Sequence, residues 1–578
     1  MVKNVVVKIN NKKFKAKKGV TILEIASENN LYIPTLCCHP DLEINANCRL
    51  CLVEIVTRDS SEIVTACSTK ICDGMEIKLD TPKVKKIRKI NLEMLLSDHI
   101  QKCEDCNWQD NCELKKLADE FGIKESRFSS RRRKFKIDKK TPIFWDSSKC
   151  VECGNCLSTC QQIAGLDNIG TKYRGSSIIF GPKDGESFFN TNCVYCGQCV
   201  IRCPSGSLQE NSELPEVEKL LARKKKKQIL VAQFAPSSRY SIGELFGRPV
   251  GENLEKKLIT ALKALGFDYV FDVNFGADIT TVEEAEEFID RLESKKNLPM
   301  FTSCCPAWVR YVEIFHHELL PNLATTKSPN HNLAMAIKSY FAKKIKVRSS
   351  RIKIVAIMPC IAKKYESKLD ELKFNRRPEV DHVLTVREIA CLIKSKEIDL
   401  LTLDENDFDS PLGEASGAGA IYGASGGVME SALRTVARRL SEKDFSKLQF
   451  NEVRGLKGMK DAVIQINDES IEVAVVSGLA NAARLLKDLK SGIKGYNYIE
   501  VMACPGGCLG GGGQPIPTTP EIREKRREAF YLDDEKKAVR RADENQDLKK
   551  MYEILDMKPL SEKAEKMFHR KFIKRKKK

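Results

Sequence analysis

The sequence predicts a multidomain α+β protein, with small cysteine-rich domains leading and an α/β domain on parallel sheets behind them. Three observations carry that expectation. The chain has 578 residues, several times the length of one ordinary domain. Most of its 23 cysteines stand in tight groups before residue 204. From Ile229 onward, near-continuous apolar strands alternate with amphipathic helices, the pattern of buried parallel strands with crossover helices.

Composition narrows the class. Hydrophobic residues at 42% and charged residues at 30% can fill several cores, so the chain is not of the disordered class. No apolar run approaches the ~18 residues that a membrane helix needs. The opening MVKNVVVKINNKKFKAKKG lacks the apolar core of an export signal and reads as a first strand, which predicts a cytoplasmic protein. The formal charge of +18 would suit nucleic acid, but the basic residues sit mostly in short runs: Arg131 to Lys134, Arg223 to Lys227 and Lys574 to Lys578. These read as solvated linkers and a frayed tail, and they predict acidic protein partners and no nucleic acid.

In chain order, residues 1–80 alternate short strands with turns and hold Cys37, Cys38, Cys48, Cys51, Cys67 and Cys72. Residues 81–125 open on a Lys-rich helix that leads to DHIQKCEDCNWQDNC. Residues 126–209 begin with a basic linker and contain an internal repeat, CVECGNCLSTC and CVYCGQCVIRC. In 210–515, ILVAQFAPS, YVFDVNF, PMFTS, RIKIVAIMP, IEVAVVSG and YNYIEVMAC read as strands. ENLEKKLITALKAL, TTVEEAEEFIDRLES and NAARLLKDLK read as helices, and 516–578 is a charged, helical extension.

Cytosolic cysteines in tight groups bind metal more often than they form disulfides. Each repeat reads C-x2-C-x2-C-x3-C, the spacing of bacterial-type ferredoxins, in which the fourth cysteine serves the other cube. Cys150, Cys153, Cys156 and Cys203 would hold one [4Fe–4S] cluster, and Cys193, Cys196, Cys199 and Cys160 the second. Paired zinc sites would leave the third cysteine of each run without a task. Cys37, Cys48, Cys51 and Cys67 suggest a [2Fe–2S] site of plant type, although the first spacing is longer than usual. Cys38 and Cys72 then read as small buried residues. His99, Cys103, Cys106 and Cys112 fit either a zinc knuckle or a third [4Fe–4S] cluster; their place between ferredoxin-like units favours the cluster.

The later cysteines follow strands. Cys304 and Cys305 follow PMFT, Cys360 follows RIKIVAIMP, and Cys504 and Cys508 follow YNYIEVMA, where α/β sheets gather ligands. The glycines of ACPGGCLGGGG and ASGGVM would let backbone approach a bulky group; Cys391 reads as an isolated buried cysteine. TSCCPAW (302–308), MPCIAKKYE (358–366) and EVMACPGGCLGGGGQP (500–515) resemble the three signature motifs of iron-only, or [FeFe], hydrogenases. The preceding domains are similar to those of the long, ferredoxin-rich clostridial form of that family.

The resemblance implies a two-lobed α/β domain that holds the H-cluster, a [4Fe–4S] cube joined to a diiron unit with CO, cyanide and dithiolate ligands. It implies that Cys305, Cys360, Cys504 and Cys508 hold the cube, with Cys508 as the bridge and Cys304 as the proton-exchanging thiol. It also places Lys363, Pro236 and Ser237 at cyanides and dithiolate, with Met358 and Met502 as apolar packing. Glu284, Glu287 and Arg291 correspond to the family's proton relay, and their spacing puts them on one helix face. The relay serine is replaced by Ala324, so either Thr325 or a water would have to bridge or the path is weakened. Ala307 stands where glycine is usual, and Asn330 and His331 where paired glutamines are common, which predicts altered polar contact at the active-site wall.

The expected reaction is 2H⁺ + 2e⁻ ⇌ H₂, with ferredoxin or flavodoxin as redox partner and maturation proteins to supply the diiron unit. Two rivals are an electron-transfer subunit similar to the iron–sulfur subunit of complex I and a hydrogenase-like cluster-assembly protein. The first lacks the three motifs, and the intact Cys304 and Lys363 argue against the second. No complete dinucleotide fingerprint is present, so coupling to NADH would need other subunits.

Overall fold

The structure is a computed structural model that describes residues 4–99, 103, 106, 108, 111–130, 135–222, 228–441, 449–466 and 469–578. The runs Arg131 to Lys134 and Arg223 to Lys227, and part of the 100–110 segment, lie outside the described residues.

The N-terminal unit is a five-stranded sheet, ordered Lys12–Lys17, Asn4–Ile9, Glu76–Lys78, Leu52–Val56, Ser61–Thr65. Helix Ile22–Glu28 starts at a capping box in which Thr21 and Glu24 satisfy each other's backbone N–H groups. Helix Pro82–Ser97 begins with proline at its first turn, and Arg88 ties it to the sheet through the Leu52 carbonyl at 2.6 and 3.0 Å. The supposed linker after Lys124 is partly anchored: Arg127 pairs with Glu93 at 2.5 Å, and Ile137–Asp138 is a strand.

The region from residue 228 to 515 contains two four-stranded sheets. The first, ordered Tyr269–Asp272, Ile229–Phe234, Ile352–Met358, His382–Thr385, is wholly parallel. The second is ordered Met300–Phe301, Tyr498–Met502, Glu469–Ser477, Met459–Ile466. Its last strand is antiparallel, a hairpin edge added to the expected parallel sheet. Another correction concerns YVFDVNF: the strand stops at Asp272, whose side chain caps helix Val273–Ser294 by accepting from the Asn274 N–H. That helix is buried for most of its length, and Gly276 lets helix Pro329–Ala336 lie against it. A Cβ at Gly276 would stand 2.1 Å from the Pro329 carbonyl oxygen.

The C-terminal extension forms helices Pro520–Lys536, Gln546–Ile554 and Glu562–Phe568. The basic tail is not frayed as expected. Arg575 reaches Glu313 at 2.5 Å and Glu371 at 2.8 Å, and the Lys578 N–H donates to Asn192. The buried Glu313 and the partly buried Glu371 hold it down. Cys72 likewise departs from expectation: it is exposed, while its neighbour Ile71 takes the core position. No helix among the described residues is long and apolar enough to cross a membrane.

Candidate active site

Four sets of thiols run from the N-terminal unit to the region from residue 228 to 515. Cys37 and Cys48 meet through a 3.4 Å backbone contact, and Cys51 and Cys67 lie 3.3 Å apart at sulfur. Cys103 and Cys106 both act on Cys112, whose thiol burial raises to about 11. The His99 Nδ1–H donates to the Lys149 carbonyl at 3.0 Å, and Lys149 Nζ is 3.2 Å from Cys106 Sγ.

The repeat is crossed. Burial first, then the charges of Cys153, Cys150 and Cys203, raises the Cys156 thiol. Burial, then Cys196, Cys193, Cys156 and Cys160, raises Cys199. Each run of three thus faces the last cysteine of the other run, and Cys156 and Cys199 join the two sets. Asn47, beside Cys48, donates to the Cys153 carbonyl at 3.3 Å, so the N-terminal sheet domain abuts the same thiol set as the His99 segment. At the other end, Cys305 acts on Cys196.

Five cysteines line one cavity with Ala235, Pro236, Ser237, Asn330, Met358, Lys363, Tyr422 and Met502. It lies at the carboxyl ends of both sheets. Pro236 and Ser237 follow the strand Ile229–Phe234, from which the strand order runs outward both ways, and Cys360 follows its parallel neighbour Ile352–Met358. Cys304 and Cys305 enter from Met300–Phe301, and Cys504 and Cys508 from Tyr498–Met502.

The glycines also let loops of the chain pack tightly on one another. A Cβ at Gly507 would meet Met502 Sδ at 2.6 Å, at Gly511 the Pro359 carbonyl oxygen at 2.1 Å, and at Gly512 the Gly197 Cα at 2.7 Å. They let polypeptide, including the second cysteine run, close on the active-site loops. The ASGG turn joins the same loop through a bridge between Ala424 and Gly507.

The donor set fits a cationic iron–sulfur core with small anionic ligands. Burial raises every cavity thiol, Cys508 to about 12, and a metal core supplies the charge that lets such thiols ionise. Ser237 Oγ and Asn330 Nδ2 are buried at the cavity without a hydrogen-bond partner among the described residues. Lys363 Nζ uses two of its donors, on Glu366 Oε2 at 2.7 Å and the Cys304 carbonyl at 3.3 Å. Glu366 is a partner that sequence reasoning missed, although its i,i+3 spacing from Lys363 was visible. His331 is not at the cavity wall; it turns to Glu379 at 2.8 Å, while Asn330 alone faces the cavity. Ala307 is buried in the helix that starts behind Cys305.

The proposed relay residues lie on helix Val273–Ser294, all buried. Burial pushes the Glu284 carboxyl up to about 8, with the Glu287 charge adding and the Tyr498 hydrogen bond opposing. Glu287 pairs with Arg291 at 2.5 Å and accepts from the Thr325 hydroxyl at 3.0 Å. Thr325 therefore serves Glu287 and makes no hydrogen bond to Glu284 among the described residues. Its hydroxyl also meets His569 Nδ1 at 2.7 Å, a contact from the C-terminal extension that the sequence reading missed.

Cysteine sets that converge through the repeat on an apolar-walled cavity carrying a fifth thiol and buried carboxyls define an iron–sulfur oxidoreductase with its catalytic centre at that cavity. Residues 228–512 match the family model of the iron only hydrogenase large subunit, C-terminal domain. Residues 2–82 match a 2Fe-2S iron-sulfur cluster binding domain, 88–127 an NADH-ubiquinone oxidoreductase-G iron-sulfur binding region, and 520–575 an iron hydrogenase small subunit. Iron hydrogenase 1 of Clostridium pasteurianum is 38% identical over 580 residues, 98% of this chain and 99% of that one. The NADP-reducing hydrogenase subunit HndD of Solidesulfovibrio fructosivorans is 38% identical over 581 residues, 98% of each. A solved single-residue variant of the [FeFe]-hydrogenase HydA1 from Chlamydomonas reinhardtii is 34% identical with a TM-score of 0.57, covering 63% of this chain and 99% of that one. The chain belongs to the iron-only, or [FeFe], hydrogenase family, and is a hydrogenase with 2Fe-2S, 4Fe-4S and H-cluster cofactors.

Proposed function

We propose that this hydrogenase exchanges electrons with ferredoxin or flavodoxin in the cytoplasm through its N-terminal domains, and carries one [2Fe–2S] cluster, three accessory [4Fe–4S] clusters and the H-cluster. The ligand sets are Cys37, Cys48, Cys51 and Cys67; His99, Cys103, Cys106 and Cys112; and the two crossed sets of the repeat. The Nδ1 contact of His99 supports its role, because ligating histidines have their tautomer fixed by such a bond. Cys305, Cys360, Cys504 and Cys508 hold the cube of the H-cluster. Held by these residues, the clusters would supply the electron transfer and the iron chemistry that interconverts protons and H₂.

The protein's own work is proton delivery, orientation and exclusion of water. Cys304 holds a proton at Sγ in a cavity walled by Met358, Met502 and Pro236. Among charged neighbours, Glu284 acts most strongly on that thiol, which supports proton exchange between them. Glu287, Thr325 and Arg291 form the outer part of the path. Ser237, Asn330 and Lys363 offer N–H and O–H donors to anionic ligands and fix their orientation.

The observation that carries this reading is the convergence of five cysteines, from three strands of two sheets, on one cavity. Expression with and without maturation proteins tests it. Without them, the chain should hold its [4Fe–4S] clusters, visible by electron paramagnetic resonance, and evolve no hydrogen. Hydrogen evolution by such a preparation before any diiron precursor is added would overturn the assignment.

A further inference from the structure

Ala324 is buried in the apolar cluster that packs around the Glu284 helix, and it carries no hydroxyl. The structure contains a different hydroxyl there. Tyr498, the first residue of the strand that leads to Cys504, is fully buried, and its OH donates to Glu284 Oε1 at 2.6 Å. The ring is stacked on Phe288, one turn along the helix from Glu284, with centroids 4.8 Å apart. Ala324, Phe288 and Tyr498 belong to one apolar cluster. Glu284 Oε2 is buried and has no hydrogen-bond partner among the described residues.

We propose that Tyr498 is a positioning residue of the proton path, taking over at Glu284 the hydroxyl function that alanine at 324 cannot provide. The inference rests on the reading of Glu284 as a relay carboxyl. A phenol has one hydrogen to donate, and here it is committed to Oε1. The transferable proton of Glu284 is thereby confined to Oε2, and the carboxyl cannot rotate without losing its hydrogen bond. An unanchored carboxyl in this apolar surround would sample both orientations. Burial holds the phenol far above its ordinary range, so it remains a neutral donor and does not act as a base. Thr325 cannot do this work, because its hydroxyl is engaged by Glu287 and His569.

Tyr498→Phe keeps the stacked ring and removes only the hydroxyl. The matured variant should retain its iron and its CO and cyanide infrared bands, while turnover falls about tenfold, the factor expected for one hydrogen bond. Its pH profile should move upward, since that bond favours ionised Glu284. The other groups acting on this carboxyl are Glu287 and Arg291 on its own helix, Glu500 beside Tyr498, Tyr422 and Cys304. Ala324→Ser should leave turnover within about twofold in the wild-type background and restore most of it in Y498F.

A second readout does not depend on activity. The carboxylic C=O stretch that disappears in Glu284→Gln should move to higher frequency in Y498F, including in protein made without the diiron unit. If Y498F does not fold, wild-type protein gives the same information. One tyrosine C–O stretch should then shift as the Glu284 band titrates, and should stay fixed in E284Q. An unmoved C=O band in Y498F, or no titrating tyrosine band in the wild type, would overturn the proposal, whatever the turnover. Loss of turnover that Ala324→Ser fails to rescue would also count against it. A matured wild type without CO and cyanide bands would overturn the hydrogenase assignment itself and leave the Tyr498–Glu284 result standing.

Discussion

Lys363 Nζ lies 2.7 Å from Glu366 Oε2 with both side chains buried, and Glu366 is shared with Ser328 at 3.1 Å. Burial alone would raise the Glu366 carboxyl, but Lys363 and His331 outweigh it and hold it below the usual range. The ammonium at the cavity is thus kept charged by protein, before any ligand arrives. Glu366→Gln should leave that charge unpaired and cost about 3–5 kcal/mol, as removing one partner of a buried pair does. Thermal unfolding under anaerobic conditions measures this, and an unchanged midpoint would refute it.

Cys304 is one of five thiols at the cavity, and the proposed cube takes the other four. Cys304→Ala and Cys304→Ser should keep cluster content and infrared bands, while turnover drops on the order of 10²–10⁴-fold. Serine retains the size but is a far weaker acid than the thiol. Substantial turnover in the alanine variant, with its diiron site intact, would show that protons arrive by another route.

Glu284 gives a pH signature in stability. Its carboxyl is raised from 4.5 to about 8, chiefly by burial, so the folded chain keeps a proton that the unfolded chain releases. Its contribution is fully present at pH values below the unfolded pKa and is lost as pH rises from about 4.5 to about 8. Glu284→Gln should flatten the decline in thermal midpoint across that window. Parallel curves for variant and wild type would place the titration elsewhere.

Gly512 separates electron delivery from active-site integrity. Its missing Cβ lets the active-site loop touch Gly197 and the Cys196 carbonyl, and Gln198 donates to the Gly510 carbonyl at 2.8 Å nearby. Gly512→Ala should push these segments apart. Hydrogen evolution driven by ferredoxin should fall more than evolution driven by a small viologen dye, which can reach the catalytic region directly. Equal losses with both donors would contradict this.

Much of this architecture was legible in the sequence because cysteine spacing and strand–helix alternation are local signals. ILVAQFAPS, RIKIVAIMP and YNYIEVMAC were recognisable as strands carrying residues at their carboxyl ends. What escaped was long-range pairing. Glu284 and Tyr498 are 214 positions apart, Thr325 and His569 are 244 apart, and neither pair has a periodicity that announces it. That the glycines at the cavity also let other loops of the chain close on theirs was not legible either, because those neighbours are distant in sequence. His331 looked like a wall residue by adjacency to Asn330, but consecutive helix positions point in different directions. The tail looked frayed because sequence alone does not reveal that Glu313 and Glu371 await its arginine.

The central claim is that Cys305, Cys360, Cys504 and Cys508 hold an H-cluster in the cavity beside Cys304. Infrared spectroscopy of the chain matured with its diiron unit tests this most directly. The account predicts CO and cyanide stretching bands that respond to H₂, and their absence from Cys508→Ala under the same maturation. A matured wild-type protein with full accessory cluster content and no such bands, or a Cys508→Ala variant that retains them unchanged, would contradict it.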